Sequence, residues 1–177
     1  MKHVVFSVVR CNPPTLGHLK LCQTVEKLAS TLGCDYKLFT TKSHDAKKNP
    51  LSVEDKLHFL GELMPQYQFE TTVNPFFACR ELAAMGYESA TLVVGEDRNL
   101  QLIEQLSKYI GHHDVKHDIG LKAVEGFVIE RDSTDYSSSH ARQLVVEGNF
   151  DEFLKQIPSA DLSVTTKLFD TIRRNLG

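Results

Sequence analysis

Residues 89–95, S-A-T-L-V-V-G, are a short apolar run with no polar alternation. A strand with one wet face alternates; an unbroken run belongs to a strand buried on both faces, the interior of a parallel sheet covered by helices. Residues 3–9 (H-V-V-F-S-V-V) carry the same signature. Parallel neighbours need crossovers of a dozen residues or more, usually helical. The chain supplies them. From His18 to Leu32, Leu19, Cys22, Val25, Leu28, Ala29 and Leu32 recur at helical spacing, and Gly33 stops the helix. Ser52 with Asp55 three residues on is a capping-box variant, Leu57, Leu60, Leu63 and Met64 give the expected apolar face, and Pro65 ends that helix. Strands are expected near 3–9, 35–41, 67–73, 89–95 and 121–130, with helices near 75–85 and 98–110. A helical segment, about 137–177, is broken at Gly148-Asn149 and Pro158. This alternation predicts an α/β fold, a doubly wound parallel sheet of about five strands with helices on both faces and a helical C-terminus.

With 177 residues and 41% hydrophobic content, a single domain over residues 1–177 is the expectation. Net charge is −3, which argues against a broad basic field and so against duplex nucleic acid as a partner, while leaving room for a local basic site. No run approaches the roughly 18 apolar residues of a membrane helix, and the N-terminal stretch is too short for a secretory signal. Cys11, Cys22, Cys34 and Cys79 form no C-x-x-C pair, so reduced cysteines of a cytoplasmic protein are expected and no metal site is assigned to them. His112, His113 and His117 invite a metal reading, but Gly111 and Asp114 beside them favour a solvated loop.

Ligands of open parallel sheets bind beyond the carboxyl ends of the strands, where helix N-termini present unpaired N–H groups. Four unusual segments fall there: R-C-N-P-P-T-L-G-H, T-K-S-H-D, G-E-D-R-N and R-D-S-T-D-Y-S-S-S-H-A-R. Thr15 can offer a hydroxyl and His18 an imidazole N–H to an anion, with Gly17 permitting close approach of the backbone. The same residues also suit a turn with Thr15 as its helix cap. Ser137, Ser138 and Ser139, with Arg142 one turn further on, can cradle a second anion; a serine run also reads as a plain N-cap. Lys42, Ser43, His44, Lys47 and Lys48 form a basic loop that reads equally as a lid or as solvated chain, and Asp97 as a ligand-reading carboxylate or a cap.

The segment Asn12-Pro13-Pro14-Thr15-Leu16-Gly17-His18 resembles the (H/T)-x-G-H element of the nucleotidylyltransferase superfamily. Tyr136–Arg142 resembles its I-S-S-T-x-x-R element, and Gly95-Glu96-Asp97-Arg98-Asn99-Leu100 its G-x-D-x-x-L segment. The resemblance covers roughly residues 3–158. Arg10, the chain length, N-P-P-T-x-G-H and K-N-P-L-S are similar to the small archaeal-type nicotinamide-nucleotide adenylyltransferases and their phage-encoded relatives. Departures are Thr15 at a position where many members have histidine, Tyr136 for isoleucine, Ser139 for threonine, Arg10-Cys11-Asn12 without the usual glycine before the arginine, and the charge of Glu96. The resemblance implies a Rossmann-like domain that transfers a nucleoside monophosphate, AMP from ATP, to a phosphate-bearing acceptor, releasing pyrophosphate. Nicotinamide mononucleotide is the leading acceptor, which would give NAD. A cytidylyltransferase or phosphopantetheine-type enzyme is the alternative, and a nucleotide-binding regulatory or virion-associated protein the alternative without turnover. On this resemblance His18, Thr15, Arg142 and Lys42 are the catalytic set. Arg10, Asn12, Pro14, Gly17, Gly95, Asp97, Tyr136, Ser137, Ser138 and Ser139 are the nucleotide-binding set. Mg²⁺ would accompany the triphosphate, and relatives commonly form homo-oligomers.

Overall fold

The computed structural model describes residues 2–95, 99–108, 119–129, 136–159 and 161–176. Asp97, the three histidines at 112, 113 and 117, and all of R-D-S-T-D lie outside the described residues. The order of elements is β1 (His3–Val9), α1 (Leu16–Leu32), β2 (Asp35–Thr41), α2 (Val53–Leu63), β3 (Phe69–Thr72), α3 (Pro75–Ala84), β4 (Ser89–Val94) and α4 (Asn99–Lys108). Then come β5 (Ala123–Val128), α5 (Ser138–Val146), α6 (Phe150–Leu154) and α7 (Leu162–Asn175). The five strands form one parallel sheet in the order β3-β2-β1-β4-β5, a Rossmann-like α/β arrangement with a helical C-terminus. The order reverses at β1, and in such folds ligands bind beyond the carboxyl ends of the strands at the point of reversal.

The chain divides into two compact units. The first holds residues up to Val8, Leu21–Phe39 and Glu70–Asp132; its core lies on one face of the sheet. There Val4 and Phe6 of β1, Ala90, Leu92 and Val94 of β4 and Val124 of β5 meet Ala78, Cys79 and Leu82 of α3 and Leu106 of α4. The even numbering of the strand residues is the two-residue period of a strand. Val5 and Val93, of opposite parity, are also wholly buried, which is why both strands read as unbroken apolar runs. β4 pairs with β1 from His3↔Ser89 to Phe6↔Leu92 and with β5 from Ser89↔Ala123 to Val94↔Val128. Gly33 (φ 66°) closes α1 in the left-handed conformation as the sequence predicts, its N–H reaching Ser30 O.

The second unit holds Val9–Lys20, Thr40–Phe69 and Ser133–Gly177. Its core is helical: Leu60 and Leu63 of α2, Leu144 and Val145 of α5, Phe153 of α6 and Leu168, Phe169 and Ile172 of α7 are buried. Phe169 takes Phe150 and Phe153 edge-on, each with ring centroids 5.3 Å apart. Ser52 caps α2 as expected, its hydroxyl accepting the Asp55 N–H at 3.1 Å. Of the expected apolar face of α2, Leu60, Leu63 and Met64 are buried. Leu57 is exposed, and the buried stripe is Lys56, Phe59, Leu60 and Leu63.

Candidate functional site

All of the following geometry lies within the second unit. β1 ends at Val9, and the next residues turn sharply. Cys11 has a φ of 50°, a left-handed conformation uncommon for a residue with a side chain, and the Asn12–Pro13 peptide is cis. Residues 11–15 are buried while Arg10 is exposed. The Asn12 side chain holds the turn in place. Its Nδ2 donates to Leu51 O (3.1 Å) and its Oδ1 accepts the Leu51 N–H (2.7 Å), as a paired strand would. Arg10 O accepts from the Thr40 hydroxyl at 3.2 Å.

Helix α1 then starts by an unusual device. Thr15 occupies the cap position, with its carbonyl accepting from His18 N and Leu19 N. His18, three residues on, turns back so that its Nδ1 accepts the Thr15 main-chain N–H at 3.0 Å, and the Thr15 hydroxyl lies 3.2 Å from the same nitrogen. This is half of a capping box, with histidine in place of the usual glutamate or glutamine. Thr15 is wholly buried, so its hydroxyl is spent on His18. Burial and then the neighbouring Lys56 ammonium lower the His18 pKa to about 4, leaving the ring neutral at pH 7.

Helix α5 docks on the same turn. Ser137 caps it, accepting the His140 N–H (3.1 Å). The Ser138 hydroxyl donates to Pro13 O (2.8 Å), and Arg142 donates from Nη1 to Asn12 O (2.8 Å) and from Nη2 to Ser139 Oγ (3.2 Å). Gly17 has a local reason to be glycine, because a Cβ there would sit 2.5 Å from Tyr136 O. The two motifs, more than a hundred residues apart in sequence, are thus in direct contact. Ser138 and part of Arg142 are engaged with backbone carbonyls, and three of the five guanidinium N–H groups of Arg142 remain.

The sequence reading did not single out Lys56. Its side chain is wholly buried on α2, and Nζ donates to Thr41 O at 2.5 Å, at the end of β2. Burial lowers its pKa to about 8; Cys11 opposes that shift and Arg10 adds to it. Among the described residues Lys56 has no carboxylate partner, and neither have Arg10, Lys42 or Arg142. The signal was present in the sequence: 56, 59, 60 and 63 is a helical stripe, and a lysine lies in it. Lys42, Lys47 and Lys48 are exposed on the loop after β2, and Pro14 is buried in the turn. The loop has its own frame. Asp45 accepts the N–H groups of Lys47 (2.9 Å), Lys48 (2.7 Å) and Asn49 (3.3 Å) and the Asn49 amide (2.8 Å). These bonds hold its carboxyl well below the usual range. Burial lowers the Arg142 pKa, Asp45 opposes that shift, and Arg10 adds to it.

Gly95 closes β4 in the first unit. Also there, Cys22 and Cys79 are buried thiols pushed up to about 12, unsuited to nucleophilic work. The second-unit site is therefore a set of cationic and N–H donors on a rigid turn, without a free carboxylate in the set. It can hold a multiply charged anion and polarise it; it has little with which to remove a proton.

No protein-family model matches the chain, and no curated protein sequence matches it. A solved structure does: Thermotoga maritima TmcAL bound with alpha-thio ATP superposes with a TM-score of 0.58 at 14% identity. The match covers 98% of this chain and 56% of TmcAL, so the chain spans little more than half of that protein's length. At this identity the likeness speaks for the fold, which is that of an α/β protein with a parallel sheet.

Proposed function

We propose that this chain binds a nucleoside triphosphate, ATP, on the second-unit site and transfers its nucleoside monophosphate to an acceptor whose attacking oxygen is already ionised. The observation that carries this reading is the Lys56 ammonium, buried with no carboxylate partner among the described residues and acting on His18, while Arg10 acts on both Lys56 and Arg142. A buried charge without a counter-charge is costly, and a bound polyanion would relieve it. The resemblance of T-L-G-H and Y-S-S-S-H-A-R to nucleotidylyltransferase motifs supports the triphosphate as that anion. The alpha-thio ATP on the structurally similar TmcAL favours adenine over cytosine.

In the proposed step the acceptor oxygen attacks the α-phosphorus, the bond to the β-phosphate oxygen breaks, and pyrophosphate leaves with the electron pair. No proton need move, which suits a site of donors without a base. His18 would meet the α- and β-phosphates from Nε2, while Arg142, Ser139 and Lys56 would take charge growing on the leaving group. Mg²⁺ would arrive on the triphosphate, held by phosphate oxygens and water; the cationic side chains described here suit the phosphates, not the ion. Nicotinamide mononucleotide is the acceptor to try first.

The test is pyrophosphate release with ATP and CTP against a panel of phosphorylated acceptors. Release with ATP and one acceptor, lost about a hundredfold or more in His18→Ala, is expected. Triphosphate binding without release for any acceptor would overturn transfer in favour of a nucleotide-binding regulator. Absence of triphosphate binding would overturn both.

A further inference from the structure

His18 is part of the helix cap as well as of the anion site, and the first role constrains the second. A main-chain N–H can only donate, so the Nδ1 that receives the Thr15 N–H at 3.0 Å must carry its lone pair. A neutral imidazole with a bare Nδ1 bears its proton on Nε2. A second proton on the ring would set Nδ1–H against Thr15 N–H and break the capping contact. It would also place two cations side by side, because the Lys56 ammonium acts on this ring. The ionisable groups that interact in this cluster are Arg10 and Cys11 on the turn, Lys56 on α2, Asp45 in the loop after β2 and Arg142 on α5. Asp45 has its carboxylate filled by four donors, which leaves it little capacity to stabilise an imidazolium.

We propose that Thr15 is a positioning residue for His18. The Thr15 main-chain N–H locks the ring in the Nε2–H tautomer; burial first, and the Lys56 charge second, disfavour a further proton. The ring therefore always meets a ligand as a neutral donor and never as a base. This rests on the anion-binding reading of the site and deepens it. With Nδ1 committed to the cap, His18 has no lone pair to offer an acceptor hydroxyl or amine. His18 would then assist only acceptors ionised before they arrive, phosphates and carboxylates, and would not deprotonate an alcohol or an amine. Thr15 acts through His18; its buried hydroxyl is directed at the ring.

The experiment reads the ring directly in the ligand-free full-length chain. Two-bond proton–nitrogen correlation spectra of uniformly ¹⁵N-labelled protein report the tautomer of each histidine, and the His18 signals are those lost in His18→Gln. The Nε2–H pattern at pH 7, persisting as the pH falls past 6.5, is expected. An Nδ1–H pattern, a mixture of the two, or titration near 6.5 overturns the proposal. Lys56→Met, of similar length and apolar, should keep the tautomer and raise the His18 midpoint by about one pH unit. Lys56→Arg, which keeps the charge, should leave the midpoint where it is; a merely structural role for Lys56 would not separate the two variants. If Lys56→Met does not fold, the wild-type tautomer and the Lys56→Arg midpoint still decide. Because no nucleotide is present, failure of the functional reading is separate. A locked Nε2–H ring in a protein that binds no triphosphate would sink the function and leave the positioning intact.

Discussion

A histidine that gives one nitrogen to a helix cap has a single nitrogen left for a ligand, and that division can be broken by substitution. Glutamate is the ordinary residue at this position of a capping box, so His18→Glu should preserve the helix start and favour the positive end of α1. We expect its thermal midpoint to match or exceed that of the parent while stabilisation by ATP disappears, because a carboxylate would face the phosphates. A loss of both fold and binding would mean that the ring packs in a way glutamate cannot. Lys56 gives a second residue-scale prediction, through proton linkage. Its pKa is about 8 in the folded chain against an ordinary 10.5, so between these values the unfolded chain holds more protons. The Lys56 contribution to stability therefore rises with pH across that window, and its full cost, about 3 kcal/mol, is felt at pH 7. The buried Cys22 and Cys79 thiols pull the other way above pH 9 in both proteins, so the measure is the difference: from pH 7 to pH 10 the denaturant midpoint of the parent should rise relative to that of Lys56→Met.

At the scale of elements, the site exists because α5 and α1 start against one turn, and Gly17 is the tightest point of that arrangement. Gly17→Ala would drive a methyl group to 2.5 Å from Tyr136 O, a backbone atom that cannot swing aside. The start of α5 must then move, carrying Ser138 from Pro13 and Arg142 from Asn12. A loss of about 1–3 kcal/mol is expected, with lowered amide protection in the first turn of α5 and of α1. Wild-type stability in this variant would mean that Tyr136 does not pack there. This contact also marks the limit of what the sequence discloses. The strands over 3–9, 35–41 and 89–94 are legible because apolar runs and glycine stops are local signals. The motif residues are legible by type, since threonine, histidine, serine and arginine at helix starts speak of anions. Hydrogen-bond partners are set by tertiary contact. No spacing says that the Asn12 side chain pairs with Leu51 or that Ser138 is consumed by Pro13 O. Lys56 was obscured for another reason. Hydropathy counts lysine as surface, so the stripe through exposed Leu57 looked better than the real one through buried Lys56.

For the whole molecule, a net charge of −3 conceals a cluster in which Arg10, Lys42, Lys56 and Arg142 have no carboxylate partner among the described residues. Averaged charge says little about such a site; its signature is a response to a specific anion. A ligand that binds only the folded chain stabilises it by mass action, about 2.7 kcal/mol at a hundred times its dissociation constant. For a chain of this size that corresponds to roughly 5–10 °C in thermal midpoint. ATP should produce a shift of this order, and inorganic phosphate at equal concentration a smaller one, since a single phosphate brings less charge and fewer acceptor oxygens than a triphosphate. Added salt should reduce the ATP effect, more steeply for the exposed Arg10 and Lys42 than for buried Lys56, which ions in solution screen less. The control that decides is adenosine. An equal shift with adenosine would assign the binding energy to base and ribose, and the unpaired cations would then need another occupant.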